Sequence, residues 1–170
     1  MLSRLHSGKN FDFKVTNVWL DGVEISKFEQ YAEKNYLIMQ NELSTWPIGS
    51  FHEIKVKFNG AIRKDNSGLY ETSYPDADGN IHWMAGTQME CCGARKMFPC
   101  FDEPEYKAFF DLTVHTKYPE YHAIFNTEQE SVAPSPLGGD YYVTKFDRTM
   151  QMSTYILALV ISDYDRSVVA

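Results

Sequence analysis

Between Phe51 and Phe58, the residues Phe51, Glu53, Lys55 and Lys57 interleave with His52, Ile54, Val56 and Phe58. A period of two puts Ile54, Val56 and Phe58 on one face and the lysines on the other, as in a strand buried on one side only. Similar short segments, nearly all rich in aromatic and β-branched residues, are expected at 11–20, 36–39, 68–74, 81–89, 109–115, 141–146 and 152–162. Turn signals punctuate them: Asp21-Gly22, Asn59-Gly60, Asp65-Asn66-Ser67-Gly68, Asp78-Gly79-Asn80 and Pro134-Ser135-Pro136-Leu137-Gly138-Gly139. Residues 74–83 read as a hairpin closed by Pro75-Asp76-Ala77-Asp78-Gly79-Asn80. Helical spacing is scarce. In residues 26–35, Phe28, Tyr31 and Ala32 recur at that spacing and fit either a helix or an irregular loop, and a turn is expected around Gly93 to Met97. A chain patterned this way is expected to form an all-β fold of mostly antiparallel strands, a β-sandwich or saddle.

With 170 residues, 44% of them hydrophobic, the chain can bury a genuine core at a length ordinary for one domain. Its 16 basic and 23 acidic residues give a formal net charge of -7, which repels phosphate backbones. Nucleic acid and anionic lipid are therefore not expected as partners. No membrane segment is expected either, because the longest apolar run, residues 155–161, is far shorter than the roughly 20 residues a spanning helix needs. The amino terminus lacks the apolar core of a secretory signal. Cys91, Cys92 and Cys100 are odd in number, fit no zinc-ribbon spacing and read as buried thiols. Adjacent cysteines rarely bridge each other, since disulfide geometry is hard to meet across one peptide bond.

The run Thr87-Gln88-Met89-Glu90, followed by Ala94-Arg95 and by Phe98-Pro99-Cys100-Phe101-Asp102-Glu103-Pro104, closely resembles a segment of the M1 family of zinc aminopeptidases. There a strand carrying T-Q-x-E runs into A-R-x-x-F-P-C-F-D-E-P. Further pieces match in the family's order: Ser67-Gly68-Leu69-Tyr70 with Ser73-Tyr74, Lys107-Ala108-Phe109-Phe110, and Met152-Ser153-Thr154-Tyr155-Ile156-Leu157-Ala158. The resemblance extends from about Leu5 to Tyr164. It implies an amino-terminal β-saddle, a single domain over residues 1–170 that lacks the family's first strands and ends before the catalytic domain. No G-A-M-E-N and no H-E-x-x-H occurs, and His52-Glu53-Ile54-Lys55-Val56 lacks the second histidine that a zinc-binding helix requires. His52 therefore reads as a surface or edge residue. The chain is expected to hold no catalytic and no metal-binding residue, to be inactive alone, and to leave zinc to the parent enzyme's catalytic domain. Family members include both membrane-anchored ectodomains and cytoplasmic enzymes.

By the same resemblance, Glu90 stands where the family's acidic residue helps bind the free α-ammonium group of a peptide substrate, and Gln88 where a glutamine lines the pocket for the first side chain. The chemistry is sound: a carboxylate can pair with an ammonium that an internal amide lacks. Strand alternation puts Gln88 and Glu90 on one face and Met89 on the other. The expected partners are a peptide's free amino terminus and the catalytic domain. Read without the resemblance, Glu90 caps the turn before Gly93 and Gln88 satisfies a buried backbone group. Asp102 and Glu103 are not read as an acid/base pair; their flanking prolines point to a rigid turn whose carboxylates take backbone donors or pair with Arg95. Glu71 stands where many family members carry arginine. A competing reading is a stand-alone β-sandwich binding module with Trp46, Trp83, Tyr141 and Tyr142 on its recognition surface, although large aromatics in sandwiches are more often core.

Overall fold

The computed structural model of the chain describes residues 2–6, 13–31, 36–40, 46–117 and 119–165. Among the described residues the strands are β1 (Leu2–His6), β2 (Phe13–Leu20), β3 (Val23–Glu24), β4 (Phe28–Tyr31), β5 (Tyr36–Gln40), β6 (Ile54–Gly60) and β7 (Gly68–Pro75). They continue with β8 (Ile81–Gln88), β9 (Thr113–Lys117), β10 (His122–Phe125), β11 (Gln129–Pro134), β12 (Tyr141–Phe146) and β13 (Leu159–Ser162). Among the described residues, helical geometry is confined to the 3-10 turns Ala94–Lys96 and Thr154–Ile156. Among the described residues, neighbouring strands run antiparallel in four sheets, ordered β1-β5-β4, β3-β2-β6, β10-β13-β8-β7 and β11-β12-β9. The fold is the all-β, antiparallel architecture expected.

Two apolar clusters hold these sheets. Phe13, Val15, Val18, Leu37 and Met39 are buried together, with Ile54, Val56 and Phe58 packed against them, so the inward face of β6 is the one its alternation defines. The larger cluster joins Met89, Ala94 and Cys100 to Phe125, Phe146, Met152, Leu157 and Leu159. Burying each large apolar side chain stabilises the fold by about 1.5–3 kcal/mol. Gln30 of β4 adds a polar link, accepting from Val15 N at 2.8 Å and donating to Phe13 O at 3.1 Å, beside the register shift of β2 between Val15 and Asn17. Strand β3 pairs with β2 only at Trp19 and Leu20, and nearer the start of β2 the Gln30 amide supplies one donor and one acceptor to its backbone.

The β7–β8 hairpin closes as expected. Asp76 accepts from Asp78 N, Asn80 N and Asn80 Nδ2, which organises the turn, and Gly79 takes φ +84°, a conformation an L side chain rarely adopts.

Several boundaries differ from expectation. Residues 28–31 are a strand, not helix or loop: Phe28 and Gln30 turn partly inward while Glu29 and Tyr31 alternate with them, and all four pair with β5. The rest of that window, 32–35, and the expected strand start at 11–12 lie outside the described residues. The expected strand 109–115 begins only at Thr113, because Phe110 N bonds the Thr149 hydroxyl instead of a ladder carbonyl. The expected strand 152–162 is broken. Ser153 Oγ donates to Pro104 O at 2.6 Å and Thr154 Oγ1 to Asp102 Oδ1 at 2.7 Å, which draws the backbone into a 3-10 turn and leaves only β13 in the sheet. Trp83 and Tyr141 lie at the surface, 51% and 40% exposed, not in the core.

Candidate functional site

Strand β8 ends at Gln88, yet its in-and-out alternation continues through the next two residues. Gln88 and Glu90 are exposed while Met89 between them is 2% exposed. Met89 belongs to the larger apolar cluster, so the side chain pointing inward fixes the direction of the two that point outward. Neither Gln88 nor Glu90 makes a side-chain hydrogen bond or ion pair among the described residues. The plain structural role, Glu90 capping the turn and Gln88 satisfying a backbone group, is therefore not what the geometry displays.

Neighbouring contacts hold this strand end in place. Thr87 Oγ1 accepts from Leu159 N at 2.9 Å, tying the edge of β8 to the start of β13. Gly93 N donates to Met89 O at 2.6 Å, folding the chain back on itself directly after Glu90. A Cβ at Gly93 would lie 2.6 Å from Gln88 O and 2.8 Å from Met89 Cα, so this return requires glycine by close approach; its φ of -86° is ordinary. Gly68, opposite Gln88 in the β7–β8 ladder, combines φ +68° with a position where a Cβ would meet Lys96 Cβ at 2.8 Å. Lys96 in turn donates to Ser67 Oγ at 2.6 Å.

Beyond the turn, Asp102 is the largest buried polar investment in the region, with no side-chain exposure. One carboxylate oxygen accepts from Arg95 Nε at 2.8 Å and Arg95 N at 3.2 Å; the other accepts from Thr154 Oγ1 at 2.7 Å. Arg95 Nη2 also reaches Asp102 O at 2.9 Å. This clasp closes the loop from residue 95 to residue 102 and joins it to the segment before β13. The carboxylate is consumed by structure, as the flanking prolines indicated. Thr154 escaped the sequence reading, and at a sequence separation of 52 from Asp102 no local pattern could have revealed it.

The cysteines divide. Cys100 is buried at 8% exposure, and burial, followed by the charge of Asp102, pushes its thiol well above the usual range, so it is poorly activated. Cys91 and Cys92 are exposed, contrary to expectation. The reason is local: Met89 and Ala94 take the two inward positions, and the turn between them projects its side chains away from the core.

His52 lies ahead of β6, not within it, bridging Ser50 Oγ and Asp21 Oδ2 at 2.8 Å each while stacking on Trp46. Glu71, half-buried on β7, receives Lys64 Nζ at 3.1 Å. Among the described residues, no three or more His, Cys, Asp or Glu side chains gather so as to hold a metal ion. No helix among them is long and apolar enough to cross a membrane.

Comparison with known proteins gives a consistent result. Residues 5–156 match the family described as the peptidase M1 N-terminal domain. The membrane alanyl aminopeptidase of Heliothis virescens is 40% identical over 116 residues, 66% of this chain and 11% of that protein. Aminopeptidase N of Homo sapiens is 36% identical over 145 residues, covering 84% and 14% respectively. The putative aminopeptidase-2 of Caenorhabditis elegans is 32% identical over 163 residues, covering 92% and 8%. The chain thus spans only a small fraction of the length of each relative.

Proposed function

The chain belongs to the peptidase M1 N-terminal domain family, and on that premise we propose that it serves as the amino-terminal domain of a zinc metallo-aminopeptidase, binding the free amino terminus of peptide substrates through Glu90 and Gln88. The observation that carries this reading is the state of Glu90: an exposed carboxylate without a partner among the described residues, on a turn whose neighbours are buried and hydrogen-bonded. An ammonium brought to it would gain a charge-assisted hydrogen bond, worth about 1.5–3 kcal/mol, that an acylated chain end could not form. Gln88, exposed two residues earlier, would line the space for the first side chain.

Zinc belongs to the proposed partner, the catalytic domain. A hydrolytic zinc site needs three protein ligands and an activated water. The described residues gather no such set. By itself the chain should hydrolyse nothing. Exposed Phe101 and Tyr106, whose ring centroids lie 5.7 Å apart, with Tyr155 and Ile156 close in sequence to Thr154, supply apolar surface on which a catalytic domain would sit.

The test is Glu90→Ala in a protein carrying this domain together with its catalytic domain. kcat/KM for substrates with a free amino terminus should fall about ten- to a hundredfold, the equivalent of one charged hydrogen bond. Zinc content should not change, and residual cleavage of N-acetylated substrates should hardly respond. An equal loss on free and blocked substrates would remove the anchoring role and leave only a structural one.

A further inference from the structure

Directly after Glu90, two thiols share one exposed turn. Cys91 and Cys92 are both accessible, and their Sγ atoms lie 3.2 Å apart. Adjacent side chains on extended backbone point to opposite faces, so this proximity depends on the turn. The hydrogen bond from Gly93 N to Met89 O and the tight seat of Gly93 against Gln88 O and Met89 Cα fix its shape. Nothing in the proposed role of Glu90 and Gln88 uses either sulfur.

We propose that Cys91 and Cys92 form a vicinal dithiol site that chelates trivalent arsenicals and related thiophilic metalloids. Two observations select this ligand class. The first is donor count. Zinc takes four ligands, and among the described residues no further His, Cys, Asp or Glu joins the pair to make a set of three. A monosubstituted trivalent arsenic is satisfied by two sulfurs and its own substituent. The second is spacing. Two thiolates on a tetrahedral zinc, at about 2.3 Å each, sit about 3.8 Å apart. The pair here is closer, at 3.2 Å, which suits a pyramidal centre whose bonds lie near a right angle.

The chemistry needs no oxidant. With an arsine oxide, R–As=O and two S–H groups give R–As(S)2 and one water: two As–S bonds form, the As–O and both S–H bonds break, and both protons leave on the oxygen. Arsenic remains trivalent throughout. Free thiolate is not required at the outset, so the raised pKa of the Cys92 thiol, caused first by its hydrogen bond with Cys91, does not block the reaction. Cys100 cannot take part: it is 8% exposed and sits inside the larger apolar cluster.

The experiment is titration of the chain with phenylarsine oxide, followed by intact-mass spectrometry and by counting the thiols that remain. One adduct should form, with two thiols consumed. Closing the second As–S bond within the chain raises affinity about a hundredfold or more over one thiol, so Cys91→Ser and Cys92→Ser should each lose that factor, while Cys100→Ser binds as the parent does. A small dithiol should strip the adduct, and excess glutathione should not. Both cysteines are exposed, so serine at either leaves the fold intact, and unchanged circular dichroism verifies that. The proposal fails if either single variant retains parental affinity, if Cys100→Ser abolishes binding, or if glutathione displaces the arsenical.

Discussion

Replacing Asp102 with alanine removes the acceptor on which three donors converge: Arg95 Nε at 2.8 Å, Arg95 N at 3.2 Å and Thr154 Oγ1 at 2.7 Å. What remains is a guanidinium with 17% side-chain exposure, still holding the carbonyl of residue 102 at 2.9 Å, and a hydroxyl on a residue only 4% exposed. Removing one partner of a buried ion pair costs about 3–5 kcal/mol. Residual hydration of Arg95 pulls the figure toward the lower end; the orphaned Thr154 hydroxyl pulls it back up, since a buried unsatisfied donor costs about 1–3 kcal/mol. We expect about 3–4 kcal/mol, a large part of the roughly 5–15 kcal/mol that stabilises an ordinary domain. At about 2–4 °C per kcal/mol for a chain of this size, Tm should fall by roughly 6–16 °C. Asp102→Asn keeps the shape and one acceptor oxygen, so about half that loss is expected. Adding Thr154→Val to Asp102→Ala deletes the orphaned donor, so the double variant should be more stable than the sum of single losses by at least about 0.5 kcal/mol. Urea unfolding followed by tryptophan fluorescence measures the parent, both Asp102 variants, Thr154→Val and the double variant. A cost below about 1 kcal/mol for Asp102→Ala, or strict additivity in the cycle, would refute the account of the clasp.

Gly93→Ala should destabilise by about 1–3 kcal/mol through overpacking, because its Cβ meets backbone atoms, Gln88 O at 2.6 Å and Met89 Cα at 2.8 Å, that cannot yield as a flexible side chain would; thermal melts that superimpose on the parent would show that the turn relaxes freely. His82 should make stability depend on pH. Its ring bonds Asp163 through Nδ1 and Asp76 through Nε2, and these bonds, Asp163 first, raise its pKa above the ordinary 6.5. The folded value is the higher one, so the contribution is complete below about pH 6.5 and is lost as pH rises through the raised value. Asp163, held below the ordinary 3.8 first by His82, and Asp76, held low first by Asn80, contribute stability that is present above 3.8 and lost as pH falls through their lowered values. Tm should peak between these limits, and His82→Gln should flatten its alkaline decline; an unchanged decline in calorimetry would show that other groups cause it.

What the sequence made legible was whatever depends on neighbours along the chain. The inward face of β6, the β7–β8 hairpin and the outward placement of Gln88 and Glu90 follow from a period of two or from turn residues, and the structure has them. What it hid depends on distant partners. The segment 152–158 has the composition of a strand, yet Ser153 and Thr154 bond Pro104 O and Asp102 Oδ1, some fifty residues away, and leave the ladder. Strands β10 and β11 passed unread: β10 is only four residues long, and five of the six residues of β11 are exposed, so neither carries a sustained apolar alternation. Cys91 and Cys92 were misplaced because cysteine is so often interior; only the seats of Met89 and Ala94 on either side decide that the turn faces outward.

A recognition carboxylate has to be fixed without being used. If Glu90 were held by its own hydrogen bonds, an arriving ammonium would have to replace them, and part of the binding energy would go into breaking what positioned the group. Here the restraint lies in residues on either side: Met89 in the core, Thr87 on Leu159 N, Gly93 on Met89 O, and the Arg95–Asp102 clasp beyond. Folding meets the entropic cost of ordering that backbone once, in advance. The carboxylate keeps its acceptor capacity for a ligand. If Glu90 anchors the substrate as proposed, a weakened clasp should harm anchoring indirectly, by loosening the turn, whereas loss of Glu90 itself should remove the anchor and leave stability almost unchanged, since the side chain contacts no partner among the described residues that folding requires.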